Sequence, residues 1–313
     1  MRFGAPVWPF KWDTPYDEAI KRIGSLGFRA VELIAWDRDA LDTYYTPETI
    51  KQLRSVIEGE GLVLSQFVST PGKMASRDPK ERAASVAHMK RLVDVGMELG
   101  AQMVNSVTSL PFNIAAPPIT DRPHVQVFTV DVEPGLDWDQ NWLDYVDAMR
   151  QCAKYAESAG TRYSLEPHPF RYGGNTDGML RLLDAVGSPA LGVNFDPSHT
   201  FPAADFPNIT IYRLNKRIFH CDFSDNDGTT NVHWRPGKGK IDWDAAFRAL
   251  KDIGYNGVVS LEFEDVPGVS RGVRNVPGVY KGNTVATPEL DREYRLALEY
   301  LTGIAQGAGF QVE

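Results

Sequence analysis

Short apolar runs rich in β-branched residues alternate along this chain with longer segments of helical period. The first run spans about Arg2 to Val7. Thr14-Pro15 then opens a helix, with Thr as N-cap and Pro at the first helical position. That helix places Ala19, Ile20 and Ile23 on one face and stops near Gly27. The cycle repeats with a strand over Ala30–Ile34, a helix from Thr46-Pro47 to Gly61, and a strand over Val63–Val68. Asp78-Pro79 starts a long helix whose Val86, Met89, Leu92 and Val93 share a face and which ends at Gly100, before a strand from Met103 to Val107. In the second half, helices over Gln140–Ser158 and Thr176–Val186 precede strands Tyr163–Glu166 and Leu191–Asp196. Helices near Phe206–Leu214 and Asp242–Ile253 precede strands Arg217–His220 and Gly257–Glu262, and Pro288–Gln306 reads as the last helix.

Nearly continuous apolar strands alternating with helices predict a parallel sheet covered by helices on its faces. Eight such alternations predict closure into a (β/α)₈ TIM barrel, an α/β fold with one domain over residues 1–313. An open dinucleotide-binding sheet would need a Gly-x-Gly-x-x-Gly turn after an early strand, and the sequence has none. Two stretches, near 109–139 and 265–288, are too long for turns. Both follow strands, which puts them on the C-terminal face of a barrel, where long loops form lids, substrate walls or partner surfaces.

Composition changes this picture little: 42% of residues are hydrophobic and 24% charged, as in a soluble globular protein. A net charge of −8, from 41 acidic and 33 basic residues without a Lys/Arg block, argues against a nucleic-acid partner. No stretch is apolar and uncharged for the length of a bilayer, so no membrane partner is expected. Cys152 and Cys221 are too few for a disulfide framework and wrongly spaced for a thiolate metal site. A cytoplasmic location is the expectation.

In a barrel of this kind the working residues stand at the C-terminal strand ends. Read in order, strands five to eight end on Glu166, Asp196, His220 and Glu262. Three carboxylates aimed at one point repel each other, and a cation resolves the conflict. The set therefore predicts one divalent metal ion. Its oxygen majority favours Mn²⁺, with Mg²⁺, Co²⁺ and Zn²⁺ as alternatives. Taken singly, each residue has a plainer reading: Asp196-Pro197 also reads as a turn, and His220 as a core histidine. Trp8, Trp12 and Trp36 follow strands one and two and read as an apolar wall against a sugar face or as ordinary packing. His168 sits two residues beyond Glu166, on the same strand face if the strand continues, and reads as a substrate contact. Asp222 and Glu264 stand in the same relation to His220 and Glu262 and read equally as solvated loop carboxylates. His88 and His233 are not favoured as ligands.

Leu165-Glu166-Pro-His168, Asn194-Phe-Asp196-Pro-Ser-His199, His220-Cys-Asp222, Leu261-Glu262-Phe-Glu264 and Pro236-Gly237-Lys-Gly239 occur in an order and spacing that resembles the xylose isomerase-like superfamily of barrels, the sugar phosphate isomerase/epimerase type. The resemblance implies that Glu166, Asp196, His220 and Glu262 hold the metal and that His199 lies near substrate hydroxyls. It also implies that Glu166 and Glu262 exchange protons on opposite faces of a sugar next to its carbonyl, through an ene-diolate. Two departures from the ketose 3-epimerases stand out. Tyr172 replaces an acidic residue after strand five. The strand-seven loop, Ser224 to Gly228, lacks their arginine, for which Arg235 or Lys238 is the available substitute.

His124, in the long strand-four loop, reads either as a second acid/base across the pocket or as a surface histidine. The first role would turn the same enolate toward β-elimination. The chain then resembles the C-deglycosidase large subunits, which cleave 3-oxo-glycosides and work with a small partner subunit. Expected partners are thus a small-molecule sugar or glycoside, and either further copies of the chain or a small subunit. Rival readings are a metal-dependent endonuclease, disfavoured by the few histidines and the acidic charge, and a non-catalytic barrel, disfavoured because all four ligands are present.

Overall fold

The structure, a computed structural model, describes residues 1–114, 130, 132–270 and 285–313. Eight parallel strands close into a barrel in chain order, β1 pairing with β8 at the seam. They are β1 (Arg2–Pro6), β2 (Ala30–Ile34), β3 (Val63–Val68), β4 (Met103–Val107), β5 (Arg162–Glu166), β6 (Leu191–Phe195), β7 (Ile218–Phe223) and β8 (Val258–Leu261). The helices are α1 (Asp17–Ser25), α2 (Arg38–Thr43), α3 (Pro47–Gly59), α4 (Pro79–Leu99), α5 (Trp138–Ser158), α6 (Thr176–Val186), α7 (Pro197–Thr200), α8 (Pro207–Leu214), α9 (Trp243–Asp252) and α10 (Pro288–Gly307). The fold class expected from the alternating pattern is the one found.

Helix starts follow local chemistry. Thr46, Asp78, Asp137, Asn175 and Asp242 each accept a backbone N–H from the first turn of the following helix. The first helix departs from expectation: Thr14 does not cap it, and α1 begins at Asp17 with Tyr16 before it. Two short helices, α2 and α7, lie within what reads from sequence as loop.

The apolar core lies between the outer faces of the strands and the helices that cover them. Phe223 on β7, for example, meets Trp243 and Phe247 of α9 at ring-centroid distances of 4.9 and 5.8 Å. The barrel interior, by contrast, carries a polar layer. Buried Glu32, Gln66, Asn105, Ser164, Asn194, His220 and Asp222 all stand on strands and are joined by hydrogen bonds or close polar contacts. One correction follows for β7. The strand runs on to Phe223 rather than stopping at His220, so its C-terminal end carries Asp222.

Past β7, Asp225 organises the chain. Its carboxylate accepts from the backbone N–H of Gly237 (2.8 Å) and of Ile241 (3.2 Å) and from the Trp243 indole N–H (3.0 Å). This accounts for the Pro236-Gly237-Lys-Gly239 turn: a Cβ on Gly239 would collide with the Asp225 carboxylate and the Asn226 carbonyl.

Candidate active site

Glu166 ends β5, and Asp196 and Glu262 directly follow β6 and β8, all buried. Asp196 does two things at once. Its Oδ1 caps α7 by accepting from the Ser198 N–H at 2.7 Å, as a turn residue would. Its Oδ2 has no hydrogen-bond partner among the described residues. That oxygen lies 3.6 Å from both His199 Nε2 and His233 Nδ1.

Histidines flank Glu166. His199 Nε2 is 3.4 Å and His168 Nε2 3.7 Å from Glu166 Oε1, and the two imidazoles stack with centroids 3.6 Å apart. His199 is fixed from behind by the Asn231 side-chain oxygen, 2.8 Å from Nδ1. Glu262 is held differently: the Trp8 indole N–H donates to its Oε1 at 2.8 Å. Trp8 meets Trp36 edge to face, and Trp36 stacks on Trp12 at 4.0 Å. The three tryptophans therefore pack together beyond the β1 and β2 ends, and one of them also holds a glutamate.

These environments push the two glutamates apart. Burial alone would raise Glu166, but the hydrogen-bonding and charge of His168 and His199 overcome it and hold its carboxyl well below the usual range. Burial raises Glu262 well above its ordinary value, and neighbouring Glu166, Glu264 and Asp196 raise it further. Asp196 is pushed up to about 7, chiefly by burial. His199 is raised in spite of burial by the charges of Asp196 and Glu166, whereas burial takes His168 down to about 3.

The four residues expected as ligands do not form one group. Glu166 and Glu262 come together with Asp222, offering oxygens within 4.8 Å of one another. Asp196 groups instead with His199 and His233, and His220 with Glu32 and Asp222. His220 lies in the polar layer, its Nδ1 3.0 Å from Asn194 Oδ1 and its Nε2 3.9 Å from Glu32 Oε1.

Other expected residues fall in different places. Arg235 donates to Glu293 of α10 at 2.9 Å, so its guanidinium ties the loop to a helix. Tyr172 donates to Asn141 at 2.9 Å and stacks on Tyr145. His124 lies outside the described residues, as does most of both long loops. Sequence reasoning passed over His233, which is buried and within reach of Asp196, and Glu32, which joins the layer beneath the pocket. Glu32 did carry a signal: it is the one charged residue in the strand Ala30–Ile34.

The profile of the xylose isomerase-like TIM barrel family matches residues 20–289. The chain belongs to this family. Among curated members it is 25% identical to the D-psicose 3-epimerase of Ruminiclostridium cellulolyticum, over 94% of this chain and 93% of that protein. It is 22% identical to the fructoselysine 3-epimerase of Shigella flexneri, over 79% and 85%. Among solved members, the D-psicose 3-epimerase of Clostridium cellulolyticum H10 with D-tagatose superimposes with a TM-score of 0.74 at 22% identity, covering 97% of this chain and 99% of that one. A 3-keto-D-glucoside 4-epimerase from E. coli superimposes with a TM-score of 0.71 at 17% identity, covering 97% and 99%. This barrel thus has the family's frame, with buried acidic groups at the C-terminal ends of its strands.

Proposed function

We propose that the protein is a cation-dependent sugar isomerase or epimerase that moves a proton next to a carbonyl. The observation that carries this reading is the pair Glu166 and Glu262. They face each other from β5 and β8, one held ionised by imidazoles and the other raised by burial and clasped by an indole. Opposed environments of this kind assign a base and an acid to one pocket. Membership in a family that includes sugar epimerases supports it.

The residues present fit a divalent cation. Asp196 Oδ2, Asp222 Oδ1 and Glu32 Oε1 are buried oxygens with no hydrogen-bond partner among the described residues, and buried carboxylates are normally satisfied or metal-bound. Glu166, Asp196 and Glu262, with a residue from β7, would hold the ion. Such a cation would polarise a substrate carbonyl and so acidify the C–H of the adjacent hydroxyl-bearing carbon. The Glu166 carboxylate takes that proton. Glu262, oriented by Trp8, supplies one to the opposite face, so that the carbon is inverted and each glutamate ends in the other's starting state. His168 and His199 hold Glu166 in place. The tryptophan wall covers the pocket's apolar side and excludes water there.

The test is solvent exchange. Mn²⁺-loaded protein is incubated in D₂O with a panel of ketohexoses and 3-oxo-glucosides, and products are read by mass spectrometry and NMR. Deuterium at the carbon beside the carbonyl, absent with Glu166→Gln and with Glu262→Gln, is the expected result. No incorporation into any panel member would overturn the reading. Release of an aglycone from the 3-oxo-glucosides would assign elimination instead of epimerisation.

A further inference from the structure

We infer that the cation ligand supplied by β7 is Asp222 and not His220, so that this strand offers the ion a carboxylate in place of an imidazole. This rests on the cation-dependent reading above and names one of its parts. Asp222 and His220 point into the barrel from the same strand, two residues apart, which separates their Cα atoms by about 6.6 Å. Asp222 is the one that shares a group with Glu166 and Glu262.

The bonding of each side chain agrees. Asp222 Oδ2 accepts from the Asn194 amide at 2.6 Å and the Gln66 amide at 3.3 Å. Those contacts fix the carboxylate and leave Oδ1 fully buried and without a hydrogen-bond partner among the described residues. His220 is engaged the other way round. Its Nδ1 meets Asn194 Oδ1 and lies 3.5 Å from Asp222 Oδ1. Its Nε2, also without a hydrogen-bond partner among the described residues, lies 3.9 Å from Glu32 Oε1, in the layer below and away from the group that Glu166 and Glu262 form. The same Asn194 side chain thus bonds His220 with its oxygen and Asp222 with its nitrogen. His220 is in this way a positioning residue for Asn194, and through it for Asp222.

The consequence is selectivity. A carboxylate from β7 shifts the site toward hard ions, Mn²⁺ and Mg²⁺, whereas an imidazole from the same strand would draw it toward Zn²⁺ and Co²⁺. Residue 222 therefore decides which ion the pocket keeps.

The experiment measures Mn²⁺ and Zn²⁺ binding by calorimetry and by metal content after dialysis, for the full-length protein and single variants, with circular dichroism as the folding control. Asp222→Asn should weaken Mn²⁺ binding at least tenfold. Asp222→His should shift the Mn²⁺-to-Zn²⁺ affinity ratio at least tenfold toward Zn²⁺, which a residue that does not touch the ion cannot do. His220→Gln should leave that ratio within threefold even where overall affinity falls. If Asp222→His leaves the ratio unchanged while His220→Gln moves it, the assignment is overturned but the cation-dependent reading stands. If the unmodified protein binds neither ion, both fall together.

Discussion

Neutralising Glu32 should stabilise the metal-free protein at alkaline pH and do little at acid pH. Glu32 is fully buried within the barrel, with Gln66 donating to Oε2 at 2.6 Å and Oε1 without a hydrogen-bond partner among the described residues. Burial, more than any neighbour, raises its carboxyl from 4.5 to about 7. A raised acid contributes stability that is present in full below its unfolded value and is lost as pH climbs through the folded one. For Glu32 that window runs from about 4.5 to about 7. A shift of that size corresponds to roughly 3 kcal/mol, most of it lost between pH 5 and 8.5. Glu32→Gln keeps the shape and removes the titration. Urea denaturation in EDTA at pH 5 and pH 8.5 should therefore show the unmodified protein losing roughly 2–3 kcal/mol more than the variant across that interval. Parallel pH dependence in the two proteins would refute the argument, because it would mean that Glu32 ionises inside the barrel at no cost.

Two further outcomes are expected. Trp8→Phe removes the N–H that holds Glu262 while keeping an aromatic ring in the wall; a hydrogen bond to a carboxylate is worth about 1.5–3 kcal/mol, so solvent-exchange rates should fall about tenfold or more, and a loss under twofold would show that the indole N–H does not serve the reaction. Asp225→Ala leaves the Trp243 indole and two backbone N–H groups without their acceptor, and chemical denaturation should register a loss of roughly 2–4 kcal/mol, whereas a change under 1 kcal/mol would show that the turn holds itself.

The frame of the barrel is legible in the sequence because each strand and helix announces itself locally. Apolar runs, caps such as Thr46 and Asp78, and stopping glycines such as Gly100 act within a few residues of where they stand. The site is legible in part, because the rule that chemistry sits at strand ends finds Glu166, Asp196 and Glu262 without any tertiary knowledge. It misplaces the end of β7, where the run Ile218–Phe223 includes Asp222. A carboxylate inside a strand reads as the strand's end, and only the barrel shows that Asn194 and Gln66 solvate it from within. The same holds for Glu32, Gln66, Asn105 and Asn194. Each is a polar residue in a largely apolar strand, and their meeting depends on how far neighbouring strands are staggered when the sheet closes. His233 was passed over for another reason: a polar loop, fixed by Ser224 and Asp265, carries it back over Asp196.

The hydrogen bond from Trp8 to Glu262 joins residues 254 positions apart across the β1–β8 seam. While the chain is being synthesised, Trp8 emerges first and waits for a partner that arrives only with the final strand. A nascent chain stopped short of β8 therefore carries Glu166, Asp196 and Asp222 without the fourth carboxylate, its Trp8 indole without an acceptor, and closing so long a loop carries a large chain-entropy cost. The pocket is finished only with the last strand, so an intact site certifies that all eight strands have been made and joined.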